Sequence, residues 1–229
     1  MSALTESSPP SDVTLRPAER RERRGAATLL AHAFARDPLM RAATGRAEDP
    51  HEAGTHIFRA SIDGTLFAGG ELVLAERRDV VIGAALIADP TSGTLARAVR
   101  ANVARLVSGT RFLTLAHRLA PGALTLLNNA DQASRRLAPQ QPHHVLVAVG
   151  VNAAARGLGV GRLLVEHVVR RAQADSLSWG VRLETENPQN VDRYARWGFS
   201  LLGVVPTGSV DVHVMAQATP TNEEHEEGQ

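Results

Sequence analysis

The sequence predicts an α/β fold, and three observations predict it. Runs rich in Val, Ile and Leu at 71–75, 80–88 and 143–151 have the composition of strands. They alternate with stretches whose apolar residues recur at helical spacing, as Val160, Leu163, Leu164 and Val168 do. Turn-forming residues separate the two kinds of segment, most plainly Asp37-Pro38, Arg78-Asp79 and the run from Pro139 to Pro142. The 229 residues suit one domain, or one domain with an insertion.

The elements follow in order. Residues 1–12 are Ser- and Pro-rich and are expected to be disordered, as is the acidic tail 217–229. A single domain is expected over 13–216. Residues 13–16 predict a short strand stopped by Pro17. Residues 18–35 predict a helix with Ala27, Leu30, Ala31 and Phe34 on one face, ended by Asp37-Pro38 because a residue before Pro leaves the helical region. A second helix is predicted at 50–66. The strand pair 71–75 and 80–88 turns at Arg78-Asp79. The Ala-, Leu- and Arg-rich segment at about 91–138 is broken at Ser108-Gly109 and Pro121-Gly122, and predicts a helical insertion before the fourth strand. After it come a strand at 143–151, a helix at 157–174, a strand at 181–185, a helix at 190–197 closed by Gly198, and strands at 199–205 and 210–215.

Composition narrows the chemistry. Apolar residues make up 43% and aromatic residues 3%, so the core rests on Ala, Val and Leu. A net charge of +1 leaves no electrostatic footprint for nucleic acid or an anionic membrane. The chain has no Cys, which excludes disulfides, thiolate zinc sites and a cysteine nucleophile. It also has no Lys, which excludes a lysine Schiff base and the P-loop lysine. The polar N-terminus lacks the features of a signal peptide, and no run approaches the ~20 apolar residues of a membrane span, so a cytoplasmic location is expected.

The loop Arg156-Gly157-Leu158-Gly159-Val160-Gly161 stands between a strand and a helix start. First-turn amides of a helix have no internal partner, and with the helix dipole they make a phosphate site. The three glycines allow close approach, and Arg156 adds a charge-assisted contact. A dinucleotide would call for G-x-G-x-x-G early in a two-part fold, with an acidic residue about 20 positions on. Here the spacing is G-x-G-x-G, late in the chain, and Glu184 lies further downstream. A tight strand-to-helix connection without a ligand is the remaining alternative at this point.

The stretch Leu183-Glu184-Thr185-Glu186-Asn187-Pro188-Gln189-Asn190-Val191-Asp192-Arg193-Tyr194-Ala195-Arg196-Trp197-Gly198-Phe199 bears on that choice. Together with the glycine loop it resembles the GNAT superfamily of N-acetyltransferases, whose loop Q/R-G-x-G-x-G/A precedes an N-x-x-N segment and Y-x-x-x-G-F. The resemblance is nearest to the branch containing puromycin N-acetyltransferase, through Val149-Gly150-Val151 before the loop and Leu183-Glu184-Thr185 before the Tyr. It is good over 142–201 and weak elsewhere.

The resemblance implies a mixed, mostly antiparallel sheet flanked by helices, and acetyl-CoA as co-substrate. Val149, Gly150 and Val151 would line the pantetheine arm, which enters a gap opened by a bulge near Gly150. Arg156, Gly157, Leu158, Gly159, Val160, Gly161 and Arg162 would hold the pyrophosphate. Asn187 or Asn190 would contact the arm or fix the turn beneath it. Tyr194, the only Tyr in the chain, would protonate the departing thiolate, or else only pack beside Phe199. Glu184 is the first candidate for the general base, with a structural carboxylate as the alternative reading; His143 and His144 are the runners-up. No metal is implied.

The expected reaction is direct acetyl transfer to a primary amine of a small molecule. Phe112 is the only aromatic residue between Gly69 and Pro142, which argues against a planar drug. Acetylation of a protein N-terminus or lysine, and a CoA-binding regulatory module without turnover, are the alternatives; a homodimer is left open. Three further motifs are set aside. In His51-Glu52-Ala53-Gly54-Thr55-His56 the second His falls at i+5, off the face a zinc box needs. There is no G-x-S-x-G elbow. Arg20-Arg21-Glu22-Arg23-Arg24 reads as a solvated helix face.

Overall fold

The computed structural model describes residues 12–90, 122–208 and 210–219. Its elements are β1 (Val13–Pro17), a 3-10 turn (Arg20–Glu22), α1 (Arg23–Ala33), α2 (Pro38–Thr44), α3 (Pro50–Phe67), β2 (Glu71–Arg77), β3 (Val80–Ala88), α4 (Ala123–Leu137), β4 (His144–Val151), a 3-10 turn (Ala153–Ala155), α5 (Val160–Ala174), β5 (Gly180–Thr185), α6 (Pro188–Arg196), β6 (Ser200–Pro206) and β7 (Asp211–Ala218). Most of the expected disordered ends, and the part of the helical insertion before Gly122, lie outside the described residues. The last strand continues to Ala218, beyond the expected domain end at 216.

The seven strands form one sheet in the order β1-β2-β3-β4-β5-β7-β6. Every neighbouring pair is antiparallel except β4 and β5, which are parallel. The β2–β3 hairpin turns on Arg78 (φ 51°) and Asp79 (φ 61°), the left-handed pair that a two-residue hairpin needs to match strand twist.

Helices cover both faces. Ala27, Leu30, Ile57, Phe58 and Ile62 from α1 and α3 pack on Leu72, Leu74 and Leu86. On the other face Val160, Leu164 and Val168 from α5 pack on Val73, Ile87, Leu146, Leu183 and Met215. Alternate strand residues thus serve opposite cores, which is why β2 and β3 read as continuous apolar runs.

Local chemistry moves several helix boundaries. The expected helix 18–35 divides into the 3-10 turn and α1. Glu22, which the charge run suggested was solvated, receives 2.8 and 2.7 Å bonds from Arg16, whose guanidinium also reaches Glu76 at 2.5 Å. Asp37-Pro38 ends the first helical segment and also begins α2. Asp37 accepts from the amides of Leu39 and Met40, and Pro38 sits where no amide is needed. Helix α5 begins at Val160, not at 157, because Gly157 (φ 81°) and Gly159 (φ 73°) are left-handed. Helix α6 begins at Pro188, not at 190, capped by Asn187.

Gly150 sets the position of α1. A Cβ there would stand 2.8 Å from Ala33 Cβ and 3.0 Å from Leu30 Cδ2. The bare backbone lets the end of α1 lie directly on β4, which brings the following Asp37 turn to that end of the sheet. No helix among the described residues is long and apolar enough to cross a membrane.

Candidate active site

β4 and β5 share a short ladder: His144 with Val181, Val145 with Arg182, and Leu146 with Leu183. Beyond it the strands part. On its other edge β4 shifts register, so that Ala148 faces Leu86 and Leu146 faces Ile87, leaving Val147 as an extra residue. Such a bulge bends its strand. It therefore sits at Val147, earlier than the expected place near Gly150, and Val147 is 42% exposed. β5 meanwhile stays paired with β7 as far as Thr185 and His213. The result is a gap with the unpaired edge of 147–151 on one side and Glu184 and Thr185 on the other.

The glycine loop follows directly. Val151 leads into Asn152, whose side chain accepts from Ala154 N at 3.1 Å and turns the chain through Ala153–Ala155. Arg156 and Gly157 are exposed, while Leu158 and Gly159 are half-buried. Gly159 caps α5 with no side-chain hydrogen bond, so no side chain competes for the first-turn amides at Val160 and Gly161. A Cβ on Gly161 would meet only Val151 Cγ2, at an ordinary 3.6 Å. Arg162 pairs with Glu166 at 2.7 Å. A groove of about 600 Å³ runs beside this loop on the α1 side, lined by Thr28, His32, Ala33, Val151, Asn152 and Arg156 among others.

Across the gap, Thr185 organises the turn into α6. Its hydroxyl oxygen accepts from Asn187 N at 3.3 Å and from Asn190 Nδ2 at 3.2 Å, and its carbonyl lies 3.1 Å from His213 Nδ1. Asn187 caps Gln189 N at 3.0 Å, and Asn190 Oδ1 accepts from Arg193. Both Asn side chains are thus engaged in fixing the turn. Tyr194, one turn on, is buried, with its ring edge-on to Trp197 (5.5 Å) and Phe199 (5.8 Å). Burial pushes its phenol up to about 12, with Glu186 adding to the rise and Arg193 opposing it.

Three carboxylates gather on this side. Glu184 is held by Arg182 at 2.5 Å, and Arg182 also donates to Ser134 on α4 and to His143 Nε2. Asp37 is pushed up by burial, against the pull of its two capping amides. Glu186 is half-buried in the β5–α6 turn. Burial, then the charges of Asp37 and Glu184, push it up to about 8.

The two histidines stand at the far end of β4. His143 Nδ1 lies 2.8 Å from Gln141 O, and burial lowers its pKa. His144 is fully buried, with Nδ1 3.0 Å from Ser178 Oγ and Nε2 3.6 Å from Asp89. It binds together the starts of β4 and β5 and the end of β3.

The model of the Acetyltransferase (GNAT) family matches residues 30–199. The chain belongs to this family. Among solved structures it is similar to a protein of Corynebacterium glutamicum described as histone acetyltransferase HPA2 and related acetyltransferase, with 25% identity, 92% of this chain and 99% of that one covered, and a TM-score of 0.63. It shares the fold of a polyamine N-acetyltransferase of Drosophila melanogaster that forms N-acetylagmatine, at 18% identity, 91% and 100% coverage and a TM-score of 0.55. It also shares that of Naa50 of Arabidopsis thaliana bound to a bisubstrate analogue of CoA and a peptide, at 13% identity, 91% and 99% coverage and a TM-score of 0.53. No curated protein matches the chain. The GNAT fold is therefore present, and with it an acyltransferase family.

Within the GNAT frame, the fold brings together the glycine loop, the 147–151 edge, Glu184 and the helix carrying Tyr194; it leaves His144 apart and joins His143 to Glu184 only through Arg182. Asp37, Thr185 and Glu186 were not among the sequence-derived candidates. Thr185 and Glu186 lie inside the quoted Leu183–Phe199 stretch, but only the gap gives their positions meaning. Asp37 was legible as a helix stop, and its place near Glu186 depends on α1 crossing at Gly150. Of the motifs set aside, His51 stacks on His32 (4.9 Å) and His56 contacts Glu52 at 3.3 Å. Among the described residues no group of three His, Asp or Glu could hold a metal ion.

Proposed function

We propose that this GNAT protein transfers the acetyl group of acetyl-CoA directly to a primary amine of a small molecule. The observation that carries the reading is the parting of β4 and β5 immediately before an uncapped glycine-loop helix. A β-like pantetheine arm fits an unpaired strand edge, and a pyrophosphate fits free first-turn amides. In this reading the backbone of Val149 to Val151 takes the arm, Arg156 to Arg162 take the pyrophosphate, and Asn187 and Asn190 fix the turn beside them.

The amine, once neutral, attacks the thioester carbonyl carbon. The C–N bond forms, the C–S bond breaks, and Tyr194 supplies a proton to the departing sulfur. A phenol pushed up by burial stays protonated throughout the neutral range, so it remains a donor. A backbone amide near Val149 stabilises the oxyanion. The ammonium proton goes to a carboxylate at the end of β5, for which Glu184 is the sequence's own candidate. The clustering of the Asp37, Glu184 and Glu186 carboxyls, which a bound cation would hold in their ionised forms, supports a cationic acceptor, as does the neighbouring fold that forms N-acetylagmatine.

The test combines two measurements. Acetyl-CoA should raise the thermal midpoint where NAD does not, and free-thiol release over a panel of small amines should exceed release with peptides. No stabilisation by acetyl-CoA sinks the reading; binding without thiol release leaves a CoA-binding module; turnover confined to peptides makes the protein a peptide acetyltransferase.

A further inference from the structure

We infer that Glu186, rather than Glu184, takes the proton from the acceptor ammonium. The inference rests on the reading of the β4–β5 gap as an acetyl-transfer site and names the base within it.

Two carboxylates stand at the end of β5, and they differ in what surrounds them. Glu184 faces Arg182 at 2.5 Å, and Arg182 is itself fixed by Ser134 and His143. The Glu184 carboxylate is thus already engaged by a buried guanidinium held in place, and a buried cation deprived of its partner is costly. The Arg182 bond to Ser134 ties β5 to α4, and Glu184 holds Arg182 in place for it, which suits a structural role.

Glu186 has the opposite surroundings. It lies one residue past the last β5 residue, in the turn that borders the gap. No cation is paired with it among the described residues. The groups that act on it electrostatically are Asp37 from the α2 cap and Glu184 from β5. Tyr194 on α6 feels its charge, with Arg193 acting on the phenol in the other sense, and His213 of β7 is occupied at the Thr185 carbonyl. The candidate acid and Glu186 are therefore electrostatic neighbours, joined by the short α6 turn.

The proton balance is complete. R–NH3+ gives one proton to the Glu186 carboxylate and becomes R–NH2. Attack forms the C–N bond and expels the sulfur, which takes the Tyr194 proton while the amide nitrogen returns its second proton to Tyr194. Glu186 then releases its proton to water. A carboxyl pushed up to about 8 is matched to this task, since it accepts a proton readily and still ionises in the working range.

The experiment measures kcat/KM against pH for the full chain, E186Q, E186D and E184Q, with two acceptors. One is an alkylamine that is charged at neutral pH, and the other a weakly basic amine that is already neutral there. For wild type and the alkylamine the rate should rise with pH through about 8, as the Glu186 carboxyl ionises. E186Q should lower the alkylamine rate about a hundredfold, lose the break at about 8 so that the rate only follows the free-amine fraction toward the amine's own ionisation, and lose less than about tenfold with the weakly basic amine. E186D, which keeps the carboxylate, should keep the break at lower amplitude; E184Q should slow the reaction without removing the break.

An E186Q protein that keeps rate and break overturns the inference, and so does one equally slow with both amines. Loss of the break in E184Q alone assigns the base to Glu184. Each variant is first checked for wild-type stabilisation by acetyl-CoA. Failure of the wild type itself to bind acetyl-CoA or release thiol is the separate failure of the reading beneath.

Discussion

Tyr194 has an apolar job and a polar one, and they separate cleanly. Its ring sits edge-on to Trp197 and Phe199, while its hydroxyl has no hydrogen-bond partner among the described residues. Tyr194→Phe keeps the ring contacts and removes only the donor. We expect kcat to fall about a hundredfold, with the midpoint of thermal unfolding almost unchanged. An unchanged kcat on a good amine would show that the ring is there for packing alone. Gly161 offers the complementary case. A methyl there meets only Val151 at 3.6 Å, so the protein has room for it. Gly161→Ala should stabilise the fold by about 0.5–1 kcal/mol through helix propensity. It should also raise the KM for acetyl-CoA about tenfold, because the same space is assigned to the pyrophosphate. Titration of KM and a thermal melt on one sample decide it, and a stabilised variant with wild-type KM removes Gly161 from the phosphate site.

At the scale of elements, α6 depends on its first turn. Asn187 caps Gln189 N, Pro188 needs no amide partner, and Thr185 ties Asn187 and Asn190 to the end of β5. Asn187→Ala should cost about 1 kcal/mol in stability. It should lower kcat more than it alters the KM for acetyl-CoA, because α6 carries Tyr194 and the loop before α5 does not depend on it. A denaturation curve and steady-state kinetics check both halves. The elements that sequence periodicity revealed are those whose pattern is set by one neighbour at a time: the 71–88 hairpin, α3, and the apolar face of α5. The differences arise where one residue serves two elements or where tertiary contact decides. Asp37 stops one helix and caps the next, so α2 was hidden behind a breaker. Gly157 and Gly159 suggested a helix start and instead delay it, because both are left-handed. The bulge at Val147 carries no turn residue, and only the register against Leu86 and Ile87 reveals it. The glycine loop and Tyr194 were legible from short-range motifs. The difference between Glu184 and Glu186 was not, since it depends on how Arg182, in the same strand, meets Ser134 of α4, and on Asp37 at the cap of α2.

The whole sheet is two half-sheets joined at a short seam. β1 to β4 form one antiparallel unit and β5 to β7 another, and the seam is the three residue pairs from His144–Val181 to Leu146–Leu183. The buried His144, with Ser178, Asp89 and Asp175 around it, secures the closed end, while the far end has no ladder across the gap. A ligand that lies along the 147–151 edge would act as a strand between the halves. Its binding energy would then appear as local stability: ligand at a hundred times its Kd adds about 2.7 kcal/mol to a fold that it alone recognises. Hydrogen exchange with and without acetyl-CoA should therefore show protection concentrated at 147–151, at the amides of 157–162 and at 184–190. The hairpin at 71–88, already paired on both sides over most of its length, should change little. Uniform protection across both half-sheets would mean that the ligand only stabilises the fold globally. Protection confined to 157–162 would mean that the loop holds an anion while the gap stays empty, and the arm would have to run elsewhere.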